Sequence, residues 1–369
     1  MSNGFKIVIA GLMSVALFFG FLHLFCPDVE YNFERLHVFL FNLCCGGTII
    51  LYYTEGGKTL SGKSRLFLVL AIIYAIFAFL KLYIPAILIS LILAGIVESV
   101  RIKKYSVFPI GFFRKDDVSQ KFQQASLLCL SIGLVVSSLV IVNNEYLKLI
   151  SMRKLELDTF FLGFSFPVSL ITMSVMFGLM NKSDEKQVGW IKEIGFWNVN
   201  LGVIIFFVFI IFEQLMPQVF ITSVLFFTVI MIFVLYRKLG KRIQQKNFLT
   251  SGMTFLLVTA VTGIAYIFFE LTSDYTPDKY EWLLKLHAFA SLYGWNLCGL
   301  AIICRYDDFP IRLHSKSIII MHWIIVIFLA PFGNYNPILA ITATVSYAVM
   351  LYFVLFSRGV KADNLFEAL

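Results

Sequence analysis

Twelve stretches of about 20 predominantly apolar residues follow one another along the chain, separated by short polar segments. A bilayer core needs about 20 such residues per helix. The stretches fall near 6–26, 36–55, 65–83, 84–100, 124–143, 159–180, 193–213, 217–236, 249–270, 282–304, 316–333 and 336–357. Composition agrees. The chain is 59% hydrophobic and 14% charged, against about 25% charged in soluble domains. The expectation is an all-α, polytopic transmembrane helical bundle of about twelve helices, with residues 1–369 forming a single transmembrane domain. The first run, "MSNGFKIVIAGLMSVALFFGFLHLFC", is too long for a signal-peptide core and lacks an A-x-A site, so it is read as the first span.

Charge tests that count. With the N terminus inside, 23 of the 30 Lys and Arg fall in cytoplasmic segments. The other seven, Arg35, Lys81, Lys148, Arg153, Lys154, Lys279 and Lys285, fall outside. Positive residues are retained on the inner side, so twelve spans with both termini cytoplasmic fit best, in a cytoplasmic (inner) membrane. The net charge of +8 then reflects topology and anionic lipid, and the lipid bilayer, not nucleic acid, is the expected partner. The largest inner segment, 101–123, holds "VFPIGFFRKDD" and is expected at the interface. Pro85, in "KLYIP", is expected to make a tight hairpin between spans three and four. None of the six cysteines has C-x-x-C spacing, so neither a disulfide framework nor a zinc site is expected.

Ionisable residues within spans are costly and mark candidate sites. The carboxylates Glu98, Asp158, Glu193, Glu213 and Glu270 sit near span ends, where the interface solvates them. His37, His287 and His322 lie within spans, and His23 lies near the end of the first. Spans two and ten echo one another, "LHVFLFNLCCGG" against "LHAFASLYGWNLCG". Both run inward, so His37 and His287 sit at similar depth near the outer face. Two imidazoles so placed suit axial ligation of a haem. Two interfacial histidines bonded to loop carbonyls are the alternative. After His287 come Ala290, Ser291, Gly294 and Cys298, a small-residue stripe that suits either a flat macrocycle or close helix packing. Asn296 and Gly294 on this span are further candidates. His322, about two turns into span eleven, is expected in the inner half, beyond reach of a metal at the outer face. Gly163 and Pro167 in span six suit a broken helix lining a transport path, or a tolerated kink. Without G-x-S-x-G, H-E-x-x-H or a P-loop, no enzyme class is assigned.

The stretches "LHVFLFNLCCGGTIILYYTEGGKTLSGKSRLFLVLAIIYAIFAF" and "LHAFASLYGWNLCGLAIICRYDDFPIR" resemble histidine-led helices of the NnrS family. That resemblance implies a twelve-helix architecture similar to subunit I of the haem–copper oxidases, an association with haem and copper, and protection from nitric oxide stress. It implies b-type haem on His37 and His287. The chain departs from the family in lacking a second histidine beside His37. It departs from the oxidases in having no histidine in spans six and seven, so copper is not expected. Two functions follow: an NnrS-like haem protein for redox sensing, electron transfer or nitric oxide stress, or a cofactor-free transporter with its path near span six.

Overall fold

The structure is a computed structural model, and it describes residues 1–26, 31–56, 59–114, 117–150, 154–155, 161–183, 185–243, 245–272, 275–305 and 311–357. Among them twelve helices are long and apolar enough to cross a membrane: α1 Asn3–Gly20, α2 Phe33–Glu55, α3 Gly62–Phe79, α4 Tyr83–Lys104, α5 Val118–Leu147, α6 Phe161–Gly178, α7 Lys186–Ile211, α8 Leu215–Leu239, α9 Gln245–Glu270, α10 Pro277–Cys304, α11 Lys316–Gly333 and α12 Pro337–Phe356. The described residues hold no strand beyond one bridge, Met180 to Gly240. Lys115, Arg153 and Asp158 lie outside the described residues.

Local chemistry sets the helix ends. Side-chain oxygens of Asn32, Ser61, Asp117 and Asn336 accept hydrogen bonds from first-turn amides of α2, α3, α5 and α12, satisfying donors that have no partner within the helix. Gly56, at φ 65°, ends α2 in the left-handed conformation. The α3–α4 turn differs from expectation. It is made at Leu80–Leu82, with Lys81 left-handed at φ 58°, while Pro85 sits in the first turn of α4. A helix tolerates proline there because its first amides lack helical partners anyway.

Burial divides the helices. In α2, 89% of the apolar stretch is buried, and in α6 and α10, 78%. In the others the share is 56% for α5 and 39% or less for the rest. The second helix of each successive set of four is thus central. Around them the outer helices pack in sequence, and α1 closes against α12. α6 touches both α2 and α10. The outer faces leave large apolar side chains such as Ile84, Phe220 and Ile338 exposed, as a lipid-facing surface requires and a soluble surface avoids.

Three of the end-of-span carboxylates, Glu98, Glu193 and Glu270, are tied into the bundle. Glu98 receives Arg101 and the Ser131 hydroxyl, Glu193 receives Lys121 at 2.7 Å, and Glu270 lies 3.8 Å from Lys154. Glu213 adopts a left-handed conformation in the α7–α8 turn. In the 105–113 loop, Arg101 donates to the carbonyls of Ser106 and Val107, while Phe108 and Phe113 stand exposed.

Candidate functional site

Each central helix contains a π-helical segment: Phe39–Gly47 in α2, Phe161–Ser165 in α6 and Ala290–Asn296 in α10. Two more, Val142–Leu147 and Ile324–Leu329, lie in α5 and α11. The wider turn disrupts the regular carbonyl-to-amide ladder, and such bulges concentrate at functional sites. His37, His287 and His322 each stand two or three residues before one of these segments.

The histidines meet different partners. The His287 Nδ1 lies 2.9 Å from the Thr259 carbonyl of α9, with Gly263 of the same helix against its ring. A carbonyl only accepts, so Nδ1 carries the proton and the neutral ring keeps its lone pair on Nε2, as a metal-ligating histidine requires. The His37 ring lies against Gly20 of α1, where an added Cβ would be 3.5 Å from Nδ1. It stacks at 6.3 Å on Tyr293 of α10, and its buried Nδ1 has no hydrogen-bond partner. His23 Nε2 reaches the Asn334 carbonyl in the α11–α12 turn at 3.1 Å.

His37 lies against α1 and His287 against α9. His287 turns toward α9, whereas Tyr293, six residues on, projects from the opposite side of α10 toward His37. The stripe that follows His287 is packed against α9. A Cβ on Gly294 would lie 2.5 Å from the Phe255 ring, and one on Gly252 would lie 2.9 Å from Cys298. Of the two uses open to the stripe, the structure shows close helix packing.

His322 has its own partners. Its Nε2 donates to the Tyr293 carbonyl at 2.7 Å, its ring packs on Phe248 and Phe255, and its Nδ1 is buried and unpaired. It therefore adjoins the residue on which His37 stacks.

The polar centre lies where the three central helices meet. Asn42 Nδ2 donates to Ser165 Oγ at 2.8 Å, and Asn296 Nδ2 reaches the Ser165 carbonyl at 3.5 Å. These asparagines open the two N-L-C tripeptides of the α2–α10 echo, Asn42-Leu43-Cys44 and Asn296-Leu297-Cys298. The first glycine beyond each tripeptide, Gly46 after Cys45 and Gly299 directly after Cys298, presses on the same helix. A Cβ on Gly46 would lie 2.5 Å from Val168, and one on Gly299 would overlap Thr172. Trp295 Nε1 donates to Ser169 Oγ at 2.7 Å. Two copies of one short pattern thus clasp α6 along Ser165, Val168, Ser169 and Thr172, positions that share a helical face.

Pro167 opens the α-helical part of α6 just after its π segment, and its carbonyl accepts from Ser126 of α5 at 2.7 Å. Gly163 meets Gly133 of α5 backbone to backbone. These two candidates face α5, and Ser165 faces the centre.

Both clasping asparagines are buried, with 0% and 1% of their surface exposed, and neither Oδ1 has a partner. Asn296 faces a carbonyl, which accepts only, so its nitrogen points to Ser165 and its oxygen points away. A buried acceptor left unpaired costs about 1–3 kcal/mol. Tyr293 and Tyr347 hydroxyls nearby in α10 and α12 are likewise unpartnered, their rings in edge contact at 5.4 Å. Sequence reasoning picked out Asn296 without a role and missed Asn42, Ser165 and Tyr293. The signal for Asn42 was the N-L-C end of the echo, which the more conspicuous histidines at its other end obscured; Ser165 carried none. Comparison with protein-family models, with curated proteins and with solved structures found no match for this chain.

Proposed function

We propose that this chain is a multi-pass transporter that holds a small polar solute at the junction of α2, α6 and α10 and passes it along α6. One observation carries the reading: Asn42 and Asn296 hold Ser165 from two sides and keep two buried, unpartnered acceptor oxygens. Transporters place substrate sites near the midplane, between related segments and on helices whose regular ladder is interrupted. The junction sits between two echoing helices, and all three of its residues lie in π segments. It carries no formal charge, which suits a neutral or singly charged solute. The test is uptake of sodium, methylammonium, urea and glycine by proteoliposomes. Uptake of at least one probe above protein-free liposomes, reduced several-fold by Ser165→Ala, supports the reading. Background uptake of all four removes it.

A second reading is b-type haem on His37 and His287, in keeping with the NnrS-like resemblance. The His287 bond to the Thr259 carbonyl favours it, because it leaves Nε2 as the free donor. The donor chemistry fits an axial ligand, and His37 offers a second imidazole. Their rings face different helices, so ligation of one macrocycle by both does not follow from this arrangement. Bound haem would supply one-electron chemistry, and the chain's part would be to fix the His287 tautomer and hold the ring between α9 and α10.

A further inference from the structure

We propose that the lipid-facing groove between α11 and α12 is a binding site for one anionic phospholipid, with an acyl chain laid along the groove and the phosphate held by Arg312 and Lys316. The groove has a volume of about 370 Å³ and is lined by Ser317, Ile320, Met321, Ile324 and Leu329 of α11 and by Ser346 of α12. Sites for small molecules span about 300–1,000 Å³. From Ser317 to Leu329 the groove follows about 18 Å of helix, an elongated shape that suits a hydrocarbon chain. Ile320 and Ile324 are 57% and 46% exposed, so its wall is open to the bilayer. The half farther from Lys316 is formed by the π segment Ile324–Leu329, where the wider turn breaks the regular ridges that a neighbouring helix would fill.

Charge selects the lipid. Lys316 opens α11 and shares a face with Ile320 and Ile324, four and eight residues on. On α12, Phe353 lies seven residues beyond Ser346 on the same face, and the Arg312 guanidinium sits 5.5 Å over its ring. The two helices pack as a hairpin, so both faces that line the groove finish at the same end, each with a cation. Arg312 and Lys316 are exposed, and among the described residues neither meets a carboxylate. Exposed Ser317, beside Lys316, adds a hydroxyl donor. Basic pockets between transmembrane helices bind anionic headgroups, whereas a zwitterionic headgroup carries its own ammonium and gains less there. A second copy of the chain is the poorer occupant. A twofold dimer through this face, with both copies oriented alike in the bilayer, brings four cations to one end.

The test titrates phosphatidylglycerol, or phosphatidylcholine with the same acyl chains, into the purified full-length protein in detergent and follows the melting temperature. The expected result is a saturable rise of a few degrees with phosphatidylglycerol and little change with phosphatidylcholine. The double variant Arg312→Gln/Lys316→Gln should raise the half-saturating concentration at least tenfold, and so should Ile324→Trp, which fills the groove. If Ile324→Trp does not fold, Ile320→Trp serves in its place. Arg237→Gln/Lys238→Gln removes equal charge and a similar Arg–Phe contact at the end of α8 and should leave the response unchanged. Equal rises with the two lipids, equal losses in the two double variants, or an unchanged response in the tryptophan variant each overturn the proposal. So does a rise reproduced by inorganic phosphate alone, which would make the site one for the free anion. A dimer in lipid-free detergent that Ile324→Trp disperses would give the face to a second copy and likewise overturn it.

Discussion

Glu34 and Lys285 form an ion pair that joins the amino-terminal ends of α2 and α10, three residues before His37 and two before His287. Glu281, one turn before Lys285, lies 3.6 Å from the same ammonium. The two echoing helices are therefore fastened twice, at their ends by charge and at their middles through Ser165. The Glu34 carboxylate is 54% exposed and the Lys285 side chain 18%, so the charge contact is screened and cheap to lose. Glu34→Ala and Lys285→Ala should show a coupling of no more than about 1 kcal/mol in a double-mutant cycle, read from denaturation in detergent. A much larger coupling would mean that the helix ends, not the Ser165 clasp, hold α2 to α10.

The clasp itself should be intolerant of added volume. Gly46→Ala places a methyl within 2.5 Å of Val168, in a core that cannot yield freely. It should cost about 1–3 kcal/mol, and Val168→Ala in the same chain should restore part of the loss. Thermal melts of the two single variants and the double variant check this, and additive losses would place the strain elsewhere.

Lys121 and Glu193 make a lopsided pair, with side chains 3% and 31% exposed. Glu193→Gln strands an ammonium that cannot reach water and should cost about 3–5 kcal/mol. Lys121→Met leaves a carboxylate with access to solvent and should cost far less. Equal losses in melting experiments would show that the lysine reaches the surface by another route.

The haem reading predicts a Soret band in protein expressed with ample haem, and a reduced-minus-oxidised spectrum that His287→Ala removes or converts. His23→Ala, which removes the bond to the Asn334 carbonyl, should leave that spectrum intact. Colourless wild-type protein, or a spectrum that survives loss of both His37 and His287, ends this reading.

Topology is open to direct measurement. The 23-to-seven division of Lys and Arg predicts that both termini lie on the cytoplasmic side. A reporter fused after Leu369 should behave as cytoplasmic, and a tag within "LTSDYTPDKYEW" should be accessible from outside. An external C terminus would require an odd number of spans.

The sequence by itself determined twelve helices and most of their limits, because the free energy of placing a residue in hydrocarbon is a local property that sums along the chain. It also showed an echo between α2 and α10, "LHVFLFNLCCGG" and "LHAFASLYGWNLCG". Only the tertiary structure decided which helices are central, since α2, α6 and α10 are no more apolar than their neighbours and are distinguished by what packs around them. It turned Gly294 toward Phe255, His287 toward Thr259 and His322 toward Tyr293, contacts between residues far apart in the chain that no periodicity encodes. It also moved the weight of the echo from its histidines to its asparagines. Ser165 looks like any serine in an apolar run, and only the arrival of Asn42 and Asn296 from two other helices makes it the meeting point of α2, α6 and α10.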